Sequence, residues 1–195
     1  MRIQYVLPIV FLVVSAPIFA QVVPAATDGE SPFSAGGGLS TFNTGIDGGR
    51  MYGGALWGDY RLNKAPSYLQ GVGFEVEARD ILLGRSAKQP SYLAEKTIGG
   101  GVTYTWRHFQ NFHPYAKALF EYGTGVGPTM SRTVTALGGG LDYHLFGKVW
   151  LRADYEHQSW PDYRLDGVKG TLNPNGFTIG FTYHFGRKHS DQTSQ

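Results

Sequence analysis

Residues 175–185 read NGFTIGFTYHF, and the alternation in this stretch decides how the chain folds. Phe177, Ile179, Phe181, Tyr183 and Phe185 share one parity, while Gly176, Thr178, Gly180, Thr182 and His184 share the other. Successive side chains on a strand point to opposite faces. The segment therefore predicts a strand with one wholly apolar, aromatic face and one small, polar face. So complete an apolar face, ending on an aromatic, suits a strand turned towards lipid.

The same split recurs upstream. Period-2 alternation, broken by turn-rich intervals, predicts strands over 33–42, 50–62, 71–81, 96–107, 115–125, 133–146 and 149–160 before the one just quoted. In the second strand Tyr52, Leu56 and Tyr60 oppose Ala55, Trp57, Asp59 and Arg61. In the third, Phe74, Val76 and Ala78 oppose Glu75, Glu77 and Arg79. The sixth and seventh join through Gly147-Lys148, a two-residue hairpin connection. Pro161 to Pro174 is read as the longest loop. No segment holds a 3.6-residue period, so the prediction is all-β with eight antiparallel strands.

Alternation alone does not say which face is buried. A soluble, lipocalin-like barrel would turn the apolar parity inward. An eight-stranded barrel, however, has an interior only just wide enough for side chains to fill. The Leu, Ile, Val, Phe, Tyr and Trp of the apolar parity are too bulky for that lumen. The Gly, Ala and Thr of the other parity suit it. Tyr60, Tyr104, Trp106, Tyr122, Tyr143, Tyr155, Tyr183 and Phe185 lie towards strand ends, where interfacial girdles form. Closure also removes the strand edges that a bilayer forbids. The reading is an eight-stranded antiparallel up-and-down transmembrane β-barrel.

Composition agrees. Only 16% of the 195 residues are charged, below the roughly 25% usual for soluble domains, and glycines number 28. A net charge of +2 leaves no electrostatic footprint for nucleic acid. The absence of cysteine excludes disulfides, thiolate metal sites and a cysteine nucleophile. Tyr5 to Val14 is an apolar run behind Arg2, followed by a small residue at Ala20, as in a cleaved secretory signal covering 1–20. A polar, Pro-bearing lead-in covers 21–32, the barrel 33–185 and a polar tail 186–195.

On these residues the chain resembles small outer-membrane β-barrels of the OmpA/OmpX type and the opacity-like surface proteins. The most specific element is the C-terminal β-signal carried by Gly180, Phe181, Tyr183 and Phe185. The resemblance implies termini in the periplasm, and outer-membrane lipid and lipopolysaccharide as surroundings. It also implies handling by the barrel-assembly machinery, a monomer, and outward loops free to meet a surface ligand. Family members commonly end at the final aromatic, whereas here GRKHSDQTSQ follows.

The lumen parity collects Asp59, Arg61, Glu75, Glu77, Arg79, Arg107, Lys117, Glu121, Asp142, Arg152, Asp154 and Glu156. Buried charges need partners, so these acids and bases predict a salt-bridged plug in place of an open pore. The one enzymatic alternative is His157-Gln158-Ser159, which resembles the His-x-Ser element of outer-membrane lipid A deacylases, where histidine activates serine for acyl transfer. Here Trp160 follows the serine instead of the Asn usual there, and Thr171 stands where that family places its acid. The histidines show no metal-ligand spacing, and no cofactor is expected. Trp160, Tyr163, Arg164 and Lys169 are read as loop residues able to meet a surface partner.

Overall fold

The computed structural model describes residues 30–43, 50–62, 66, 69–83, 94–109, 111–124, 131–165 and 168–186. They form β1 (Glu30–Asn43), β2 (Arg50–Arg61), β3 (Val72–Leu83), β4 (Ala94–Thr105), β5 (Phe112–Thr124), β6 (Ser131–Phe146), β7 (Val149–Leu165), β8 (Val168–Leu172) and β9 (Asn175–Gly186). The proposed signal segment and the tail beyond Gly186 lie outside the described residues. β1 begins inside the segment expected as lead-in, with Glu30 opposite Gly186.

Each stave pairs antiparallel with its sequence neighbour. β1 also pairs with β9, and β9 with β7. The sheet thus closes into an up-and-down barrel of eight staves, β1 to β7 and β9. Closure satisfies the backbone between strands, the condition for a sheet to sit in hydrocarbon. One end of the barrel carries the two-residue turn between β6 and β7. At the β6–β7 turn there, Gly147 has a φ of 57°, a left-handed conformation that glycine adopts without strain.

β7 and β8 correct one expectation. The stretch read as a long loop after Trp160 continues β7 as strand to Leu165 and returns as β8, with Leu165 opposite Val168. Asn173-Pro174 then interrupts the return before β9 joins the barrel. β8 is therefore the upper part of the last stave, lifted out of the ring into a hairpin arm.

The two parities separate as their volumes require. Leu39, Val76, Phe120 and Leu137 face outward and are more than 60% exposed. Phe177, Ile179, Phe181, Tyr183 and Phe185 of β9 also face outward and are exposed, while Thr178 and Thr182 are buried inside. From Phe177 to Phe185 this apolar run covers roughly 26 Å along the strand and roughly 20 Å along the axis at a tilt of about 40°. That approaches the apolar band of about 25 Å found on membrane barrels. Rings pair along its lower border: Tyr104 with Trp106 at 4.9 Å, Tyr183 with Phe185 at 5.2 Å and Phe33 with Tyr60 at 4.9 Å. At the other end Asp80 and Lys96 face outward from β3 and β4 and pair at 2.9 Å.

Candidate functional site

The inward parity of every stave points into one space, and its contents are layered. At the short-turn end Trp150 lies between His113 and His184, stacked at 4.7 and 5.2 Å, with His144 tilted against it at 5.0 Å. Arg61 reaches Asp142 there at 3.6 Å.

Above this layer Arg152 joins three strands. Its Nε donates to Asp142 at 3.0 Å, Nη1 to Glu75 at 2.9 Å and Nη2 to Asp59 at 3.1 Å. The guanidinium lies over Trp57 and Tyr115, whose ring centroids are 5.0 and 4.8 Å away. A planar, five-donor fork can meet three carboxylates and stack on rings together; an ammonium cannot. Tyr115 donates to Asp154 at 2.5 Å, Trp57 to Thr182 at 2.9 Å and Ser34 to Asp59 at 3.1 Å.

The centre belongs to Lys117. Its Nζ stands 2.7 Å from Glu77, 2.9 Å from Glu156, 3.1 Å from Asp154 and 3.4 Å from Glu75. Arg79 donates through Nη1 and Nη2 to the two oxygens of Glu156 at 2.5 and 3.2 Å, pairs with Glu77, and lies 4.5 Å from the Phe42 ring centroid. The void lined by Trp57, Glu77, Lys117, Arg152, Asp154 and Thr178 leaves no room for a water molecule.

Two apolar clusters cover the network at the long-loop end. Phe42, Met51 and Ile81 form one; Val134, Trp160 and Leu172 form the other. Trp160 is anchored by a bond from Nε1 to Gln158 at 2.9 Å, and Gln158 donates to Glu156 at 2.8 Å. Gly123 is required beneath it, because a Cβ there would come within 2.5 Å of the Trp160 ring. Trp160 is thus a buried lid, which corrects its reading as an exposed loop residue: the arm draws it inward along the parity of Arg152, Asp154 and Glu156.

Of the charges read as lumenal, Asp59, Arg61, Glu75, Glu77, Arg79, Lys117, Glu121, Asp142, Arg152, Asp154 and Glu156 meet inside. Arg107 does not. β4 ends at Thr105, and Arg107 lies exposed beyond it. Glu95 and Gln158, both buried, were missed. Each sits an even number of residues from an inward neighbour (Gly99 and Glu156), so extending the parity one step further along β4 and β7 finds them.

Glu77, Glu121 and Glu156 bring ligand oxygens within 4.8 Å of one another, the spacing of a cation site. The positive charge among them is already supplied by Arg79 and Lys117, so the donor set does not suit a metal ion.

On the outer rim His157 and Ser159 lie on the outward parity of β7, opposite Leu137 and Thr135. Asn175 on β9 supplies a partner that the linear pattern did not reveal: its Oδ1 stands 2.7 Å from His157 Nδ1 and accepts from Tyr155 at 3.1 Å. Among the described residues no hydrogen bond joins His157 to Ser159, and no carboxylate reaches the imidazole. Gly180 faces the lumen, and Phe181, Tyr183 and Phe185 face outward.

An apolar exterior around a water-excluding, ion-paired interior defines a small transmembrane β-barrel. The chain belongs to the outer membrane protein beta-barrel domain family, whose model matches residues 10–185. Its fold is similar to Neisserial surface protein A, with 16% identity, 81% of this chain and 100% of that chain covered and a TM-score of 0.59. It is also similar to the Yersinia pestis outer membrane protein Ail in a phospholipid bilayer nanodisc, with 19% identity, coverage of 81% and 100%, and a TM-score of 0.51. No curated protein sequence matches the chain.

Proposed function

We propose that the protein is a non-enzymatic outer-membrane barrel, delivered by a cleaved signal, that acts as a rigid pedestal for its outer end. One observation carries this reading: among the described residues the lumen is filled by a tryptophan–histidine layer, a network of ion pairs and an apolar lid, and the void at its centre has no room for a water molecule. Activity then falls to the outer surface, where the β7–β8 arm projects and lipopolysaccharide or a surface ligand would be met. Purified barrel should show heat-modifiable gel mobility, sediment with membranes and give no steady conductance in planar bilayers. A soluble, detergent-independent monomer or a stable open channel would overturn it.

The last strand serves, on this reading, as the signal for the assembly machinery. Phe181, Tyr183 and Phe185 form its lipid-facing stripe and Gly180 its bare inner face. Phe185→Ala should slow assembly, and truncation after Gly186 should leave it unchanged if the tail plays no part.

A second reading has a specific observation in its favour. The Asn175 bond to His157 fixes the imidazole on the lipid-facing rim two residues from Ser159, as a base for acyl transfer from membrane lipid would require. Lipid A acylation that is unchanged on overexpression, and equally unchanged with Ser159→Ala, would exclude it.

A further inference from the structure

The outer border of the lipid-facing band carries a polar row that neither the plug nor the lid requires. Across β7, β9, β1 and β2 the register sets His157 opposite Asn175, Asn175 opposite Asn43 and Asn43 opposite Arg50. All four are exposed on the outward parity. The next outward row is Tyr155, Phe177, Thr41 and Tyr52, and Ile179, Leu39 and Leu56 continue the apolar surface beneath it. Two residues advance a strand by about 7 Å, so the polar row stands one step beyond the apolar band, at headgroup level. The outward positions of these staves over 33–43, 50–60, 149–159 and 175–185 hold no acid. The charge borne there is positive, and it comes from Arg50.

The bonds within the row leave donors over. Asn175 Oδ1 stands 2.7 Å from His157 Nδ1 and accepts from Tyr155 at 3.1 Å. An amide oxygen only accepts, so Nδ1 carries the proton of that bond, and the Asn175 N–H groups and His157 Nε2 remain for a further partner. Arg50 adds a guanidinium, whose planar fork matches phosphate oxygens. His157 and Arg50 stand three strand spacings apart, about 14 Å, which is too wide for one phosphate to bridge. We propose that this row binds the headgroup of a lipid carrying two phosphates, one held by Arg50 and the other by Asn175 and His157. The acyl chains then lie over Phe177, Ile179 and Leu39. A soluble phosphate would leave that apolar wall unused, whereas a lipid covers both. The site presupposes the membrane barrel proposed for the chain, with this end outward.

Native mass spectrometry of the full chain, folded and purified in detergent, tests this with bisphosphorylated lipid A, its dephosphorylated form and inorganic phosphate as probes. The wild type should retain the bisphosphorylated lipid about tenfold more strongly than the dephosphorylated one, the worth of a charge-assisted hydrogen bond. Inorganic phosphate should not displace it. Arg50→Ala and Asn175→Ala should each lower retention severalfold, while Lys148→Ala, in the β6–β7 turn at the opposite end, should leave it unchanged. Heat-modifiable gel mobility checks that each variant is folded. Equal retention of the two lipids, displacement by inorganic phosphate, or unaltered retention in either rim variant would overturn the site while the barrel stands. A wild type without heat-modifiable mobility would refute the membrane barrel itself, and the site with it.

Discussion

Replacing Lys117 by Met removes one charge and exposes the dependence of the whole interior on it. The ammonium is 2% exposed and touches Glu75, Glu77, Asp154 and Glu156 within 3.4 Å. Methionine fills nearly the same volume, so the packing term is small and the effect is electrostatic. Breaking a buried ion pair from one side costs about 3–5 kcal/mol, because the partner stays buried without compensation. Arg79 and Arg152 still serve three of the four acids, which places the expectation near the lower end, about 3 kcal/mol. At about 1.4 kcal/mol per decade this is roughly a hundredfold in the folding constant. Urea titration of barrel folded reversibly in vesicles, read by gel mobility and tryptophan fluorescence, measures it. Adding Asp154→Asn to Lys117→Met should recover part of the loss, since the one acid of the four that neither arginine serves goes with the base. A single variant within about 0.5 kcal/mol of wild type, the range of ordinary surface changes, would refute the idea that the plug stabilises the barrel through Lys117.

Three further outcomes follow from other layers. Arg152→Lys should cost about 2–3 kcal/mol in the same titration, because one ammonium cannot serve Asp59, Glu75 and Asp142 while lying over Trp57 and Tyr115. Trp160→Ala should cost about 3–5 kcal/mol by opening a cavity beside Val134 and Leu172, and should speed hydrogen exchange at the lid-side ends of β5 and β6 ahead of their short-turn ends. Phe181→Arg, on the lipid face of β9, should cost about 2–4 kcal/mol in vesicles, whereas a substitution at exposed Phe109, outside any strand, should cost far less.

The staves and their orientation were legible because volume and polarity alternate residue by residue. In β9 no other register puts Phe177 to Phe185 on one side. What the sequence hid sits at strand ends. Arg107 keeps the lumen parity, yet β4 stops two residues earlier, and an inward side chain needs a wall behind it. Glu95 was passed over for the converse reason, since β4 starts at Ala94, two residues before Lys96, and the register to Ile81 carries Glu95 inward. Trp160 was misplaced because Pro161 suggests a loop. The proline is tolerated at the point where β7 leaves β6, where no neighbour needs its missing N–H. Asn175 could not be tied to His157 without knowing how β7 and β9 align.

The arrangement of the plug also constrains the order in which the barrel can be built. A β2–β3 hairpin entering the bilayer alone would bring Asp59, Glu75, Glu77 and Arg79 with it, and their main partners, Lys117, Arg152 and Glu156, stand on β5 and β7. Hairpins that enter one after another would each carry bare charge through hydrocarbon, at several kcal/mol per group. The chain is therefore bound to bring its first and last thirds together before, or while, it crosses the membrane. Insertion and closure are expected to be coupled, with the ion pairs favouring entry of the strands together.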